Sequence, residues 1–157
     1  MNCAKELLIK YMDLIKDPER ATSLFAADAA IEIPYLVDVG LPGKFKCHDG
    51  ILAFLRQINT LFPDVAFTNL RVFVDTPDQV VSEYEVHCSA PATKRHYHQL
   101  FFGRLVASGG KITLLREAMN IISAAQTILS QWPFRCGSAN ERAAVTGVAA
   151  RKLVDRL

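Results

Sequence analysis

The sequence lacks several features that would place it in a large class of proteins at once. It has no apolar run close to the roughly 18 residues that a membrane-spanning helix needs, and only 22% of its 157 residues are charged. Its four cysteines form no Cys-x-x-Cys pair. Glycine-rich nucleotide motifs, Gly-x-Ser-x-Gly and His-Glu-x-x-His are also missing. These absences argue against a membrane partner and give no support for nucleotide-dependent or serine-nucleophile chemistry.

What the sequence does have is apolar material, since 50% of its residues are hydrophobic. The length corresponds to one domain, and the apolar share exceeds what a solvated monomer needs, so we expect a lined cavity or a subunit interface. Glu6 and Asp13 interrupt the apolar amino-terminal segment, which is typical of a helix and not of a signal peptide. We therefore expect a cytoplasmic protein with reduced thiols, in which Cys88 is a small buried hydrophobic residue.

The net charge of +2 is unevenly distributed along the chain. Residues 1–129 hold 13 Lys/Arg and 14 Asp/Glu, a net of −1, whereas residues 130–157 hold 5 Lys/Arg and 2 Asp/Glu, a net of +3. A nearly neutral body has no concentrated basic stripe, so we expect no nucleic-acid partner. We predict one domain over residues 1–129 and a partly helical carboxy-terminal extension over residues 130–157, with an amphipathic helix at 139–157.

Residue periodicity predicts helices first and strands second. The first predicted helix covers residues 2–16. The second begins at Asp17 and Pro18 and ends near Asp28. The third is capped by Asp49 and stopped by Pro63. The predicted strands cover residues 30–36, 65–75, 79–89, 94–107 and 111–123. This order predicts an α+β fold in which helices pack on one face of a curved, mostly antiparallel sheet.

The order of elements resembles the nuclear-transport-factor-2-like (NTF2-like) superfamily, and in particular its SnoaL-like branch of small cone-shaped α+β barrels. The resemblance covers about residues 4–129 and is carried by Leu24–Ala30 (LFAADAA), His48–Ile51 (HDGI) and Gly110–Glu117 (GKITLLRE). It implies a curved sheet wrapped around the amino-terminal helices. The superfamily includes ketosteroid isomerase, limonene-epoxide hydrolase, polyketide cyclases and non-catalytic binding or scaffold proteins, so the resemblance leaves the function open.

Strand alternation predicts which side chains point into the barrel, because successive residues face opposite sides of a sheet. The inward set predicted from the first strand and from residues 79–89 is Ile31, Ile33, Tyr35, Ser82, Tyr84, Val86 and Cys88. The strand at 94–107 has apolar residues on both faces. In this strand and in the last one, the resemblance selects Tyr97, Gln99, Phe101, Leu115, Glu117 and Met119. A sheet that is apolar on both faces agrees with the superfamily's habit of dimerising through the outer sheet face, so we expect a homodimer.

Glu117 is the candidate residue for acid–base chemistry. Leu115 and Met119 flank it on the same strand face, so its carboxyl group would be desolvated and its pKa raised, which suits a general acid or base near neutral pH. By the resemblance, it also matches the acidic residue that activates water in the epoxide hydrolases. The alternative is a structural carboxylate that pairs with Arg95 or Arg116.

Other catalytic residues of these relatives have no counterpart here. The positions of the further polar catalytic residues of the epoxide hydrolases are occupied here by Ile31, Ile33, Tyr84 and Val86. The position of the ketosteroid isomerase base is occupied by Ile33. Tyr11 matches the oxyanion-hole tyrosine of that isomerase, and the alternative is an ordinary core aromatic residue. The known catalytic sets are therefore incomplete in this chain.

From these observations we predict a cofactor-free protein that binds a small hydrophobic molecule in a deep pocket. Glu117 would be the acid or base, and Tyr84, Gln99 or Tyr97 would orient the substrate in a hydration, an isomerisation or a cyclisation. The predicted ligand-binding residues are Tyr11, Ile33, Tyr35, Ser82, Val86, Tyr97, Phe101 and Met119. The alternatives are a non-catalytic carrier or sensor of the same fold and an interaction scaffold.

Three histidines offer a rival site. His96 and His98 share one strand face, and His87 of the neighbouring strand lies on the same side. With Glu83 or Glu85 nearby they could ligate zinc, which takes three or four nitrogen or oxygen ligands. This face is expected outside the barrel, where a solvated sheet face or a polar part of a dimer interface is the simpler interpretation. We therefore assign no metal ligand from the sequence.

Overall fold

The computed structural model describes residues 3–128 of the chain. Its helices are α1 (Ala4–Asp13), α2 (Pro18–Thr22), α3 (Cys47–Leu61) and α4 (Ile121–Ile128), and a 3₁₀ helix covers Pro34–Val39. Its strands are β1 (Phe25–Glu32), β2 (Lys44–Lys46), β3 (Phe67–Asp75), β4 (Gln79–Ala90), β5 (Arg95–Ser108) and β6 (Lys111–Met119). The predicted extension at 130–157, with its helix at 139–157, lies outside the described residues, so the domain division stays a prediction.

The six strands form one curved sheet in the order β2-β1-β6-β5-β4-β3. All neighbours run antiparallel except β1 and β6, which run parallel. The strands β2 and β3 are the two edges, so the sheet does not close into a complete barrel. The predicted α+β fold with a mostly antiparallel sheet is confirmed. Among residues 3–128, no helix combines the length and the apolar character needed to cross a membrane.

The core lies between the helices and the inner face of this sheet. Helix α1 buries Leu7, Leu8 and Tyr11, and α3 buries Ile51 and Leu55, all almost completely. Burying a large apolar side chain contributes about 1.5–3 kcal/mol relative to leaving it in water. This packing fixes the position of both helices over the sheet, and with it the shape of the space between them.

Local signals in the sequence fix several helix ends. The side chain of Asp17 accepts a hydrogen bond of 3.1 Å from the backbone N–H of Arg20, and Pro18 is the first residue of α2, as predicted. Glu6 accepts a bond of 3.2 Å from the backbone N–H of Cys3 at the start of α1. Helix α3 ends at Leu61, before Pro63, but it begins at Cys47 and not at the predicted cap Asp49.

The prediction for residues 18–36 is wrong in two places. The second helix ends at Thr22, and Phe25–Asp28 belong to β1 because β1 pairs with β6, where Phe25 lies beside Ile112. Pairing with a distant strand here overrides the helix propensity of an alanine-rich segment. The strand then ends at Glu32, since Pro34 has no N–H for a ladder and begins the 3₁₀ helix instead.

The carboxy-terminal part of the last predicted strand is also wrong. Strand β6 ends at Met119, and the residues predicted to continue it begin α4. The side-chain oxygen of Asn120 accepts hydrogen bonds from the backbone N–H groups of Ile122 at 3.0 Å and Ser123 at 3.4 Å. Asparagine is a favoured helix N-cap, and it signals the change from strand to helix in this sequence.

Candidate functional site

The inner face of the sheet carries the side chains that alternation and the resemblance predicted to point inwards. In β4, Ser82, Tyr84, Val86 and Cys88 are buried, whereas His87 between them is exposed. In β5 and β6 the buried set contains Tyr97, Gln99, Phe101, Leu115 and Glu117. The inward placement of these residues is confirmed, and it brings the polar groups of three neighbouring strands to one side of the sheet.

A cavity of about 120 Å³ lies between this face, α1, α3 and the 3₁₀ helix. Twenty residues line it, and only four of them carry polar side-chain groups: Tyr11, Gln57, Tyr97 and Glu117. Aromatic and aliphatic side chains from every surrounding element supply the rest, among them Ile33, Leu36, Phe54, Phe67, Val86, Phe101 and Met119. The cavity is therefore an apolar space with one carboxyl group in its wall.

Tyr84 and Glu117 form the polar centre of this region. The hydroxyl group of Tyr84 donates a hydrogen bond of 2.5 Å to Oε1 of Glu117, and both side chains are almost completely buried. Burial raises the pKa of Glu117 to about 7, although the hydrogen bond from Tyr84 acts in the opposite direction. The same burial raises the pKa of Tyr84 well above its usual value, so the phenol keeps its proton and remains the donor.

Gly103 makes this contact possible. It belongs to β5, between the strands of Tyr84 and Glu117, and it lies directly opposite Glu117 in the ladder. A Cβ atom at position 103 would lie 2.9 Å from Cε1 of Tyr84 and closer still to its hydroxyl oxygen. The missing side chain thus lets the tyrosine ring cross β5. Sequence reasoning missed this residue, although a glycine inside a strand is a known signal of close approach.

Tyr11 approaches the same carboxyl group from helix α1. It is buried and lines the cavity together with Glu117. Burial and the nearby Glu117 charge raise the pKa of the Tyr11 phenol well above its usual value, so this hydroxyl also stays protonated. Its ring packs edge-to-face against Phe25 at 5.8 Å between centroids, which fixes it in the core. Tyr11 therefore serves the packing of α1 and also presents a polar group to the cavity wall.

The arginines considered as partners of Glu117 bind elsewhere. Arg116 points to the outer face, where it donates to Glu32 at 2.6 Å. Arg95 donates to the backbone carbonyl of Gln126 in α4. Among the described residues, Tyr84 is the one side chain that donates a hydrogen bond to Glu117. The structure therefore gives no support to a carboxylate neutralised by these arginines.

Four predicted site residues do not line the cavity, and one of them, Tyr84, is connected to it through its hydrogen bond to Glu117. Tyr35 was expected on a strand facing inwards, but it lies in the 3₁₀ helix with 48% of its surface exposed, because Pro34 ends the strand pattern before it. Ser82 and Gln99 are buried but do not line the cavity, and Ser82 Oγ and Gln99 Oε1 have no hydrogen-bond partner. The amide nitrogen of Gln99 donates a hydrogen bond of 2.8 Å to the backbone carbonyl of Leu100. The side chain therefore bonds to the backbone of its own strand and not to a group in the cavity.

Phe67 is a second residue that sequence reasoning missed. Its ring centroid lies 5.3 Å from that of Tyr84 and 6.0 Å from that of Tyr11, and it lines the cavity. It thus packs against both tyrosines around Glu117. The signal was weak, since β3 is an edge strand with register shifts in its pairing, and its alternation is irregular.

The fold and this site define a class of protein: an α+β domain whose curved sheet and amino-terminal helices enclose an apolar cavity with a buried carboxyl group. A model of the SnoaL-like domain matches residues 14–115, and the chain belongs to this family. The search of curated proteins returned no match.

Solved structures of the NTF2-like fold resemble the chain over most of its length. A phenazine biosynthesis-related protein from Pseudomonas aeruginosa is 24% identical, with a TM-score of 0.70 over 87% of this chain and 86% of that one. An NTF2-like protein of unknown function from Burkholderia pseudomallei is 16% identical, with a TM-score of 0.70 over 82% and 99%. TerC, co-crystallised with polyporic acid, is 20% identical, with a TM-score of 0.67 over 80% and 97%. At these identities the likeness establishes the fold alone.

Proposed function

We propose that the protein binds a small, mostly apolar molecule in the cavity and that Glu117 exchanges protons with it. The observation that carries this proposal is the place of Glu117: a buried carboxyl group, hydrogen-bonded by Tyr84, in the wall of an otherwise apolar cavity. The reaction class is a cofactor-free hydration, isomerisation or cyclisation. In each, a proton moves to or from a carbon or oxygen atom of the bound molecule.

The ionisation of Glu117 supports this role. With its pKa raised to about 7 by burial, the carboxyl group is present in both the charged and the neutral form near neutral pH. A general acid–base group is most effective when its pKa lies near the working pH. Tyr84 would position the carboxyl group and stabilise its charged form, since its own proton is held by a phenol of raised pKa.

The volume of the cavity limits the size of the ligand. An apolar cavity of about 150 Å³ in another protein accommodates benzene, and this cavity measures about 120 Å³. A single six-membered ring with one polar substituent therefore matches the available space. A ligand with several fused rings would require the cavity to enlarge, for example by movement of the 3₁₀ helix that contributes Leu36.

The relatives support a pocket function in general terms. The family is named for a SnoaL-like domain, and TerC, of the same fold, was co-crystallised with polyporic acid, an organic molecule. Because the match to the isomerase and epoxide-hydrolase catalytic residues is incomplete, we propose Glu117 as the acid–base residue, with Tyr84 as its hydrogen-bond partner.

Deuterium exchange tests the chemistry without knowledge of the natural substrate. Cyclohexanone is a single-ring ketone whose α-protons exchange slowly with D₂O, and a buried carboxylate beside it would accelerate that exchange by removing an α-proton and returning a deuteron. Proton NMR of cyclohexanone in D₂O near neutral pD follows the loss of the α-proton signal. We expect the protein to accelerate the exchange and the Glu117→Gln variant to lose the acceleration.

Two controls separate chemistry from binding. Glu83→Gln makes the same change on the outer face of β4 and should exchange like the unmodified protein. Val86→Phe fills the cavity from its wall and should abolish the amide chemical-shift changes that cyclohexanone, benzene or cyclohexene oxide produce. If none of these probes binds, the pocket function is refuted. If cyclohexanone binds and exchanges no faster than in buffer, the acid–base role is refuted.

The second candidate is a non-catalytic carrier or sensor for the same class of molecule. It is favoured by the Tyr84–Glu117 bond itself, because a carboxyl group that already has a buried donor can be a structural element of the cavity wall. Binding of the probes with no exchange would point to this function.

We also propose that the protein forms a homodimer through the outer sheet face. Phe73, Leu100 and Phe102 expose 57%, 48% and 49% of their surfaces, and the rings of Phe73 and Phe102 stack at 6.1 Å. Exposed aromatic residues that contact each other mark an interaction surface more often than single exposed ones. The cytoplasmic location stays a prediction from the sequence.

A further inference from the structure

The outer face of the sheet brings one carboxylate and two imidazoles together. His87 of β4 and His98 of β5 are directly opposite each other in the ladder, and their rings stack with centroids 4.1 Å apart. Nε2 of His87 lies 3.2 Å from Oε2 of Glu85, and Nε2 of His98 lies 3.6 Å from the same oxygen. The three potential ligand atoms all lie within 4.8 Å of one another.

These separations match the geometry of a transition-metal site. Zinc binds imidazole nitrogen and carboxylate oxygen at about 2.0–2.2 Å in tetrahedral sites, so two of its ligand atoms lie roughly 3.3 Å apart. The two oxygen–nitrogen distances already have this value, within a few tenths of an ångström. Only the nearly parallel imidazole rings must turn towards each other. Both side chains are more than half exposed in the single chain, and Phe102 of the proposed dimer face lies opposite Glu83, four residues along β5 from His98, so the packing permits the rotation.

The carboxylate is held for this role by a further contact. Nδ2 of Asn69 donates a hydrogen bond of 3.1 Å to Oε2 of Glu85. The bond holds this oxygen beside the two imidazoles, and a glutamate carboxyl group is ordinarily ionised at neutral pH, so the side chain is available as a ligand. Partners of this kind orient ligating carboxylates in metal sites.

We propose that Glu85, His87 and His98 bind one divalent transition-metal ion, with Zn²⁺ as the ion best suited to this set of nitrogen and oxygen ligands. The site lies on the opposite side of β4 from the cavity, since Val86 between two of the ligands lines the cavity and neighbouring residues of a strand face opposite sides. It is therefore independent of Glu117. Of the histidines grouped in the sequence, His96 is excluded, because it lies opposite Ser89.

Zinc titration of the 157-residue chain tests this site. Isothermal titration calorimetry with Zn²⁺ should give one ion per chain, and His87→Ala or His98→Ala should weaken binding on the order of tenfold or more. His96→Ala is the matched control, since it removes an exposed histidine from the same face of β5 and should leave the affinity unchanged. Long-range proton–nitrogen NMR of the imidazole rings should show His87 and His98, but not His48 or His96, responding to Zn²⁺.

Three results would overturn the proposal. One is the absence of saturable Zn²⁺ binding by the unmodified chain. Another is an equal loss of affinity in His96→Ala and His98→Ala, which would indicate diffuse binding to surface histidines. The third is a response confined to His48, since this histidine contacts the carbonyl of Phe25 and is not among the proposed ligands. Circular dichroism of each variant verifies that the sheet remains folded.

Discussion

The hydroxyl group of Tyr84 reaches Oε1 of Glu117 across an intervening strand, at a distance of 2.5 Å. Two effects of opposite sign meet at this carboxyl group: burial disfavours its charged form, and the hydrogen bond from Tyr84 favours it. Burial is the larger effect, so the pKa rises to about 7. The cavity wall thus contains a carboxyl group whose charge changes within the physiological pH range.

Glu117 should make the stability of the fold depend on pH. The unfolded chain releases this proton near pH 4.5, the usual value, whereas the folded protein holds it to about pH 7. Between these two pH values the folded state binds more protons than the unfolded state, so the free energy of unfolding falls as pH rises. It levels off above pH 7, after a loss on the order of 3 kcal/mol. Urea unfolding from about pH 5 to about pH 8 measures it. The Glu117→Gln variant should lack this loss of stability with rising pH, and Glu83→Gln should keep it. Equal slopes of the free energy of unfolding against pH in all three proteins would refute the prediction.

Removal of the Tyr84 hydroxyl should raise the pKa of Glu117 further, because the hydrogen bond that lowers it is lost. We expect Tyr84→Phe to cost about 1.5–3 kcal/mol of unfolding free energy when Glu117 is charged and less when it is neutral. Carbon-13 NMR of the glutamate carboxyl groups gives the pKa directly. Tyr97→Phe is the control, since it removes a buried hydroxyl but keeps the ring stacked on Phe62. An unchanged Glu117 pKa in Tyr84→Phe would show that the hydrogen bond does not act on the carboxyl group.

A methyl group at position 103 should have the same effect on Glu117 as loss of the Tyr84 hydroxyl. Its Cβ atom would collide with the Tyr84 ring, so Gly103→Ala should cost about 1–3 kcal/mol and raise the Glu117 pKa. In the Tyr84→Phe background the further change in pKa should be small, since the bond is already absent. Gly50→Ala in α3 is the control: its nearest neighbour would be 3.8 Å away, and it should stabilise the fold by about 0.5–1 kcal/mol. A stable Gly103→Ala protein with an unchanged Glu117 pKa would contradict this mechanism.

The features that local chemistry determines were predictable, and those that depend on distant contacts were not. The alternation around Tyr84 in β4 was enough to predict its inward placement. In β5 both faces contain large apolar residues, so the choice of the face with Tyr97 required the resemblance, and so did the choice of the face with Glu117 in β6. The strand at Phe25 depends on a partner almost 90 residues later in the sequence, Ile112, which local patterns do not contain.

The site shows the same division. The burial and raised pKa of Glu117 follow from its strand neighbours, but its hydrogen-bond partner does not, because Tyr84 reaches it only where Gly103 leaves space. Tyr35 was misplaced because β1 ends at Glu32, before Pro34, whereas the alternation of apolar residues predicted a strand to residue 36. Sequence patterns thus predict the direction of a side chain in a regular strand better than the contacts it makes across the sheet.

Charge on the outer sheet face should dissociate the proposed homodimer. Phe102 stacks on Phe73 on this face and is 49% exposed. Light scattering should give a mass of twice 17.4 kDa for the unmodified protein and the mass of one chain for Phe102→Lys, because a buried lysine without a partner strongly opposes association. Val37→Lys changes a residue that is 60% exposed in the 3₁₀ helix, away from this face, and should remain dimeric. A monomeric unmodified protein would refute the dimer, and equal dissociation of both variants would place the interface elsewhere.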